Sequence, residues 1–153
     1  MPDSRFVYVT YIRTTPPRLW QALRDPEFTR QYWMDTRQES DWIPGASWTL
    51  LLADGRVADQ GEVLEIEPER KLVLRWRNQF MPELHEEGDS RMTCTLEPQG
   101  ELVKLTIIHE MDRPDSKYIN AVSNGWPKIL SSLKSLLETG EALEKSVFGA
   151  KSA

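Results

Sequence analysis

Cysteine is nearly absent from this chain: Cys94 is the only one among 153 residues. A single thiol closes no internal disulfide and builds no Cys-rich zinc site. Histidine is almost as scarce, with only His85 and His109. Two separated histidines among scattered carboxylates make no metal signature, and nothing implies a bound cofactor. Glycines occur singly, so no Gly-rich phosphate cradle follows any strand. There is no apolar run of the about 18 residues that a membrane span needs. The polar start, Met1 to Arg5, reads as no signal peptide, which makes a cytoplasmic protein the default expectation. Positive charge is also short. Lys and Arg total 19 against 24 Asp and Glu, a formal net charge of −5. That balance argues against a general nucleic-acid binder, which needs a basic face to displace counterions.

What is present is aromatic. Six Trp is a high number for this length, and side chains of that size sit in cores, interfaces or ligand cavities. The length suits one domain over residues 1–153, able to bury roughly 70% of its extended surface without a metal or disulfide.

Phe6 to Thr14 reads as a strand, with Phe6, Tyr8, Thr10 and Ile12 on one face and Val7, Val9 and Tyr11 on the other. Thr14 and Thr15 before Pro16-Pro17 mark a helix start, and Leu19, Trp20 and Leu23 give it an apolar stripe. Asp25-Pro26 interrupts that stripe. A second short helix follows, with Phe28, Tyr32 and Trp33 on its buried side. Residues 34–46 read as a polar connection ending in the turn signal Ile43-Pro44-Gly45. Trp48–Ala53 and Val57–Ile66 form a hairpin around Asp54-Gly55. Lys71–Asn78 alternates clearly, with Leu72, Leu74 and Trp76 on one face. An acidic loop, Gln79 to Asp89, leads to strands at Arg91–Leu96 and Leu102–Glu110. From Ile119 to Leu137 apolar residues recur at spacings of three and four, giving a helix of about 20 residues. Asp115 or Ser116 can cap its start and Thr139-Gly140 can end it. Pro127 inside it predicts a kink, and the tail from Glu141 reads as a frayed extra turn. Short turns between successive strands make an antiparallel meander, and its inner face is the only surface large enough to bury the long helix.

Several elements in this order resemble a known family. They are Thr15-Pro16-Pro17-Arg18-Leu19-Trp20 with Asp25-Pro26, Trp33, Pro44-Gly45, the segment Gly61 to Pro68 running into Leu72–Trp76, and Gly125-Trp126 leading to Leu130, Leu133 and Leu137. The pattern is similar to the family of the activator of the ninety-kilodalton heat-shock protein's ATPase, within the START-like superfamily of polyketide cyclases and lipid or hormone binders. The resemblance covers about residues 6–138. It implies an α+β helix-grip fold: a curved antiparallel sheet of six or seven strands wrapped around a long C-terminal helix, with two short helices after the first strand. It also implies a cavity between sheet and helix. It implies little about activity, because chaperone activation belongs to larger relatives with an additional N-terminal domain.

The candidate cavity walls are Trp33, Trp48, Trp76, Met92, Cys94, His109 and Trp126, which otherwise pack as a solid core. His109 is the one weak candidate for a general base, against the commoner role of a hydrogen-bonded core residue. Cys94 has nothing nearby to activate it and reads as a small buried hydrophobe. Arg75 and Arg77 either hold a carboxylate, if their face is concave, or meet solvent. Glu83, Glu86, Glu87 and Asp89 either draw a basic partner or cation, or are simply solvated with exposed His85. Three functions follow. One is a module binding an apolar small molecule. The second is a chaperone-linked interaction module using Phe80, Met81 and Leu84, with a homodimer left open. The third is a cyclase- or hydrolase-like enzyme working inside the cavity, with no catalytic activity assured.

Overall fold

A computed structural model describes residues 3–143. The first strand, β1 (Ser4–Ile12), is followed by two short helices, α1 (Pro16–Arg24) and α2 (Pro26–Tyr32). The prolines stand in the first turn of each helix, where the missing N–H costs nothing. Thr15 occupies the cap position of α1 without a side-chain bond, so its hydroxyl does not act as the sequence suggested. Asp25 does cap α2, accepting the Glu27 backbone N–H at 2.9 Å. That bond, with Pro26 behind it, explains why one helical stripe breaks into two helices.

Residues 34–46 are not all loop, which corrects the sequence reading. Arg37–Ser40 forms an edge strand, β2. Only four residues long, it pairs with β3 (Ser47–Leu51), register Gln38 to Leu50 and Ser40 to Trp48. Its charged and polar side chains suit an edge and hide its strand character. Then come β4 (Val57–Glu67), β5 (Lys71–Asn78), a single-turn helix α3 (Pro82–His85), β6 (Ser90–Gln99), β7 (Leu102–Met111) and the long helix α4 (Lys117–Thr139). Seven strands make one antiparallel sheet in the order β1-β7-β6-β5-β4-β3-β2. The order closes β1 onto β7 and otherwise follows the chain.

Register shifts at Leu50/Leu51 and Val63/Glu65 bend the sheet. The second leaves Leu64 as the extra residue, and it is exposed. The concave face carries Phe6, Tyr8 and Ile12 from β1, then Leu105, Ile107, Met92, Cys94, Leu72 and Leu74 from the central strands. α4 lies in this hollow with Ile119, Trp126, Ile129, Leu130, Leu133, Leu136 and Leu137 buried. Ser116 caps it by accepting the Ile119 N–H at 3.0 Å, and Gly140 ends it at φ +88°. The helix continues through Pro127. Glu141–Leu143 is not helical, and the rest of the expected extra turn lies outside the described residues. The seven-stranded sheet clasping one long helix is the helix-grip arrangement.

Candidate functional site

Between the first half of α4 and the β3–β5 end of the sheet, the concave face is not filled. A pocket of about 240 Å³ opens there. Three indoles form its inner wall. Trp33, at the end of α2, lies 6.2 Å from Trp76 on β5 and 5.6 Å from Trp126 on α4, centroid to centroid. Trp76 and Trp126 meet edge to face at 5.8 Å. Tyr118 and Gly125 of α4 add to the wall, and Met34 stands exposed at the rim.

One carboxyl faces this apolar space. Asp59 on β4 is only 7% exposed and accepts a hydrogen bond from the Asn78 amide at 3.2 Å. Burial raises its pKa to about 6, against the opposing pull of Trp76, Asn78 and Tyr118. No Lys, Arg or His lines the pocket among the described residues. The Trp76 indole N–H is itself buried without a hydrogen-bond partner of good geometry. It nevertheless lies near enough to Asp59 to favour the charged carboxylate. Asp59 also helps to keep the Tyr118 hydroxyl protonated: burial raises that group's pKa well above its ordinary value, and the neighbouring carboxylate raises it further.

The seven candidate wall residues separate into three groups. Trp33, Trp76 and Trp126 line the pocket. Met92 and Cys94 lie deeper, around a void of about 20 Å³ that also touches those three indoles. That space holds about one water. Burial pushes the Cys94 thiol up to about 12, so it is not a nucleophile at neutral pH. Trp48 lies outside the pocket. Its indole N–H donates to Gln38 at 2.9 Å, and Gln38 donates to the Leu23 carbonyl at 2.7 Å. The pair ties the edge strand to α1. Trp48 packs on Trp76 at 4.4 Å across Gly61, which stands opposite both in register.

His109 also lies outside the pocket. It is fully buried, and both ring nitrogens are engaged. The Trp126 indole can only donate, so Nδ1 of His109 accepts and the proton sits on Nε2. Nε2–H donates to Ser90 Oγ at 2.8 Å, and Ser90 donates to the Trp76 carbonyl at 2.8 Å. Burial lowers the His109 pKa to about 3. A neutral, fully buried imidazole with both nitrogens occupied has no substrate proton to take. Its hydroxyl neighbour, Ser90, is likewise buried and committed to a carbonyl.

A family model described as Activator of Hsp90 ATPase homolog 1-like protein matches residues 13–138. The chain belongs to that family. A crystallised protein of Mesorhizobium loti is 26% identical, with a TM-score of 0.73, over 88% of this chain and 96% of its own. The Aha1 dimer of Colwellia psychrerythraea is 15% identical at TM-score 0.73, over 90% and 98%. An HSP90 activator of Plasmodium falciparum is 21% identical at TM-score 0.70, over 88% and 96%. No curated protein matches the chain. The family membership and these neighbours support the helix-grip fold. Among the described residues, no helix is long and apolar enough to cross a membrane.

Sequence reasoning missed the carboxyl. Asp59 is one charged residue among four between Asp54 and Glu62, and the signal that would have found it is its phase. It lies two residues before Gly61 and four before Val63, so it shares their concave face. Tyr118 was passed over because the helix stripe was read from Ile119. Glu87 was read as part of a solvated loop, and this needs correction. Its carboxylate accepts Ser116 Oγ at 2.7 Å and the backbone N–H groups of Lys117 and Tyr118 at 2.9 and 3.1 Å. Burial pushes its pKa up, but those bonds outweigh that and leave it below the ordinary value. A residue 30 positions away thus caps α4 and fixes Tyr118 beside the pocket. His85, expected to be exposed, is half-buried, with Nδ1 2.9 Å from the Asn78 carbonyl. Arg77 donates to the His85 carbonyl at 3.0 Å, and Arg75 pairs with Glu62 and Asp89 at 3.6 Å each. Both arginines lie on the convex face, away from the pocket.

Proposed function

We propose that this member of the family binds a small apolar molecule in the pocket between α4 and the β3–β5 end of the sheet. The observation that carries the reading is the unfilled space of about 240 Å³ against three indoles, open at a rim that includes Met34. Apolar clefts with a few convergent polar groups are where small ligands bind. The volume lies just under the roughly 300 Å³ at which drug-sized sites begin, so the ligand is of fragment size. Trp33, Trp76 and Trp126 make the test direct, since a bound aromatic probe quenches or shifts their emission. A Cβ added at Gly125 meets nothing within 4 Å, so Gly125→Leu has open room to start into the pocket it lines. Saturable emission changes with 2-phenylethanol in the native chain, lost in Gly125→Leu, are expected. Equal responses in both, or none in either, would remove the reading.

A second reading has its own observation. Phe80 and Met81 beside α3 are 45% and 41% exposed, and the family's name points to a chaperone. Under this reading purified Hsp90 binds the native chain and loses affinity for Phe80→Ser. Calorimetry with no heat at micromolar protein would set it aside. No geometry around His109 supports the enzyme reading.

A further inference from the structure

Asp59 raises a question that an apolar pocket alone does not answer. A buried carboxyl is ordinarily paired with a cation or kept neutral. Here its hydrogen bond comes from an amide, with a hydroxyl and an indole close by, and no Lys, Arg or His among the described residues acts on it. The same space is bounded by three indoles packed on one another, Trp33 and Trp126 at 5.6 Å and Trp76 at 5.8 Å from Trp126. Aromatic faces attract a desolvated cation through their quadrupole. An apolar, aromatic-walled space with one unpaired carboxylate matches one ligand chemistry: a compact apolar body that carries a protonated amine.

We propose that the ligand of this pocket is an organic ammonium, its charge set against Asp59 and its apolar body against the three indoles. This rests on the reading of the pocket as a ligand site and names the class of molecule it takes. The ammonium supplies the countercharge that the fold withholds. Asn78 donates to one carboxylate oxygen at 3.2 Å, and the Trp76 indole and Tyr118 hydroxyl near the carboxylate are neutral and supply no countercharge. Among the described residues, the only other titratable group on the wall is the Tyr118 hydroxyl. It stays protonated, because burial and the neighbouring carboxylate both raise its pKa, so it adds no charge of its own. An anionic ligand of the same shape is excluded by repulsion from the same carboxylate. A neutral ligand is accepted for its apolar surface alone.

Three probes of one shape separate the possibilities: 2-phenylethylamine, 2-phenylethanol and 3-phenylpropionate, titrated calorimetrically into the native chain at about pH 7.5. The expected order is amine about tenfold or more tighter than alcohol, a difference of roughly 1.4 kcal/mol, with the carboxylate weakest. The amine's advantage should shrink at about pH 4.5, where Asp59 takes up its proton. Asp59→Asn, which keeps the shape, should bring amine and alcohol to equal affinity. Asp59→Ser serves the same purpose if the asparagine variant does not fold. If alcohol and amine bind alike in the native chain, the ammonium inference is overturned while the pocket reading survives. The same holds if the amine's advantage persists in either neutral variant. If none of the three probes binds, both fall.

Discussion

The Trp126 indole donates its N–H to Nδ1 of His109 across 3.1 Å, so the last helix and the last strand are joined by a hydrogen bond at the centre of the core. The bond fixes the imidazole tautomer and aims the Trp126 ring at the pocket. Trp126→Phe keeps an aromatic ring but leaves a buried acceptor without a donor and a void where the pyrrole ring stood, which together cost about 2–4 kcal/mol. Urea denaturation should show this loss with an unchanged slope. His109 adds an acid-side dependence. Its folded pKa, about 3, lies below the 6.5 of an unfolded histidine, so the unfolded chain binds the extra proton. The stability this residue contributes is complete above about pH 6.5 and falls as pH drops toward 3. His109→Phe should flatten that limb.

Asp59 acts in the opposite direction. Its folded pKa of about 6 exceeds the ordinary 3.8, so the folded chain binds the extra proton. Its penalty is absent below about pH 3.8, grows as pH rises toward 6, and is constant above that. Asp59→Asn should therefore stabilise the chain at pH 7.5 by up to roughly 3 kcal/mol and by much less near pH 4. Melting temperatures of the two chains across pH 4 to 8 would check this. Curves separated by the same gap at every pH would mean that Asp59 is not the buried charge described here.

Glu87 is a capping residue supplied from a distant loop. Glu87→Gln keeps the length but loses the charge beside three donors at the start of α4. A loss of about 1 kcal/mol is expected. The native contribution is present above pH 4.5 and fades as pH falls through the lowered pKa of Glu87. Hydrogen exchange should quicken at Lys117 and Tyr118 before it does at Leu133.

Two glycines should respond oppositely to alanine. At Gly61 a Cβ would meet the Arg75 carbonyl oxygen at 1.6 Å. The strand must then move, and Trp48 and Trp76, which meet across Gly61, must separate. Gly61→Ala should cost on the order of 3 kcal/mol or more. Gly125 stands mid-helix with nothing within 4 Å of its Cβ position. Gly125→Ala should stabilise by about 0.5–1 kcal/mol through helix propensity. Chemical denaturation of both variants would show opposite shifts in midpoint.

Periodicity made the elements legible. Leu72, Leu74 and Trp76 alternate because they fill the concave face of β5, and Ile119 to Leu137 repeat because one side of α4 is buried. The edge strand β2 was not legible. Arg37, Gln38, Glu39 and Ser40 carry no apolar alternation, and they pair because β3 offers an open edge. In the site, Trp33, Trp76 and Trp126 could be named from size and phase. Asp59 could not, since a carboxyl in a hairpin strand looks solvated until the strand's facing is known. Glu87 was hidden for a different reason. Capping is usually read within a few residues of the helix, and this cap arrives from the other end of a strand pair.

Cys94 offers a consequence of its own. Its thiol is sealed beneath α4, and burial drives its pKa to about 12. An alkylating reagent therefore finds nothing to attack until the helix has lifted off the sheet. The rate at which this one sulfur is modified becomes a clock for that opening, readable in crude lysate by mass and with no label introduced.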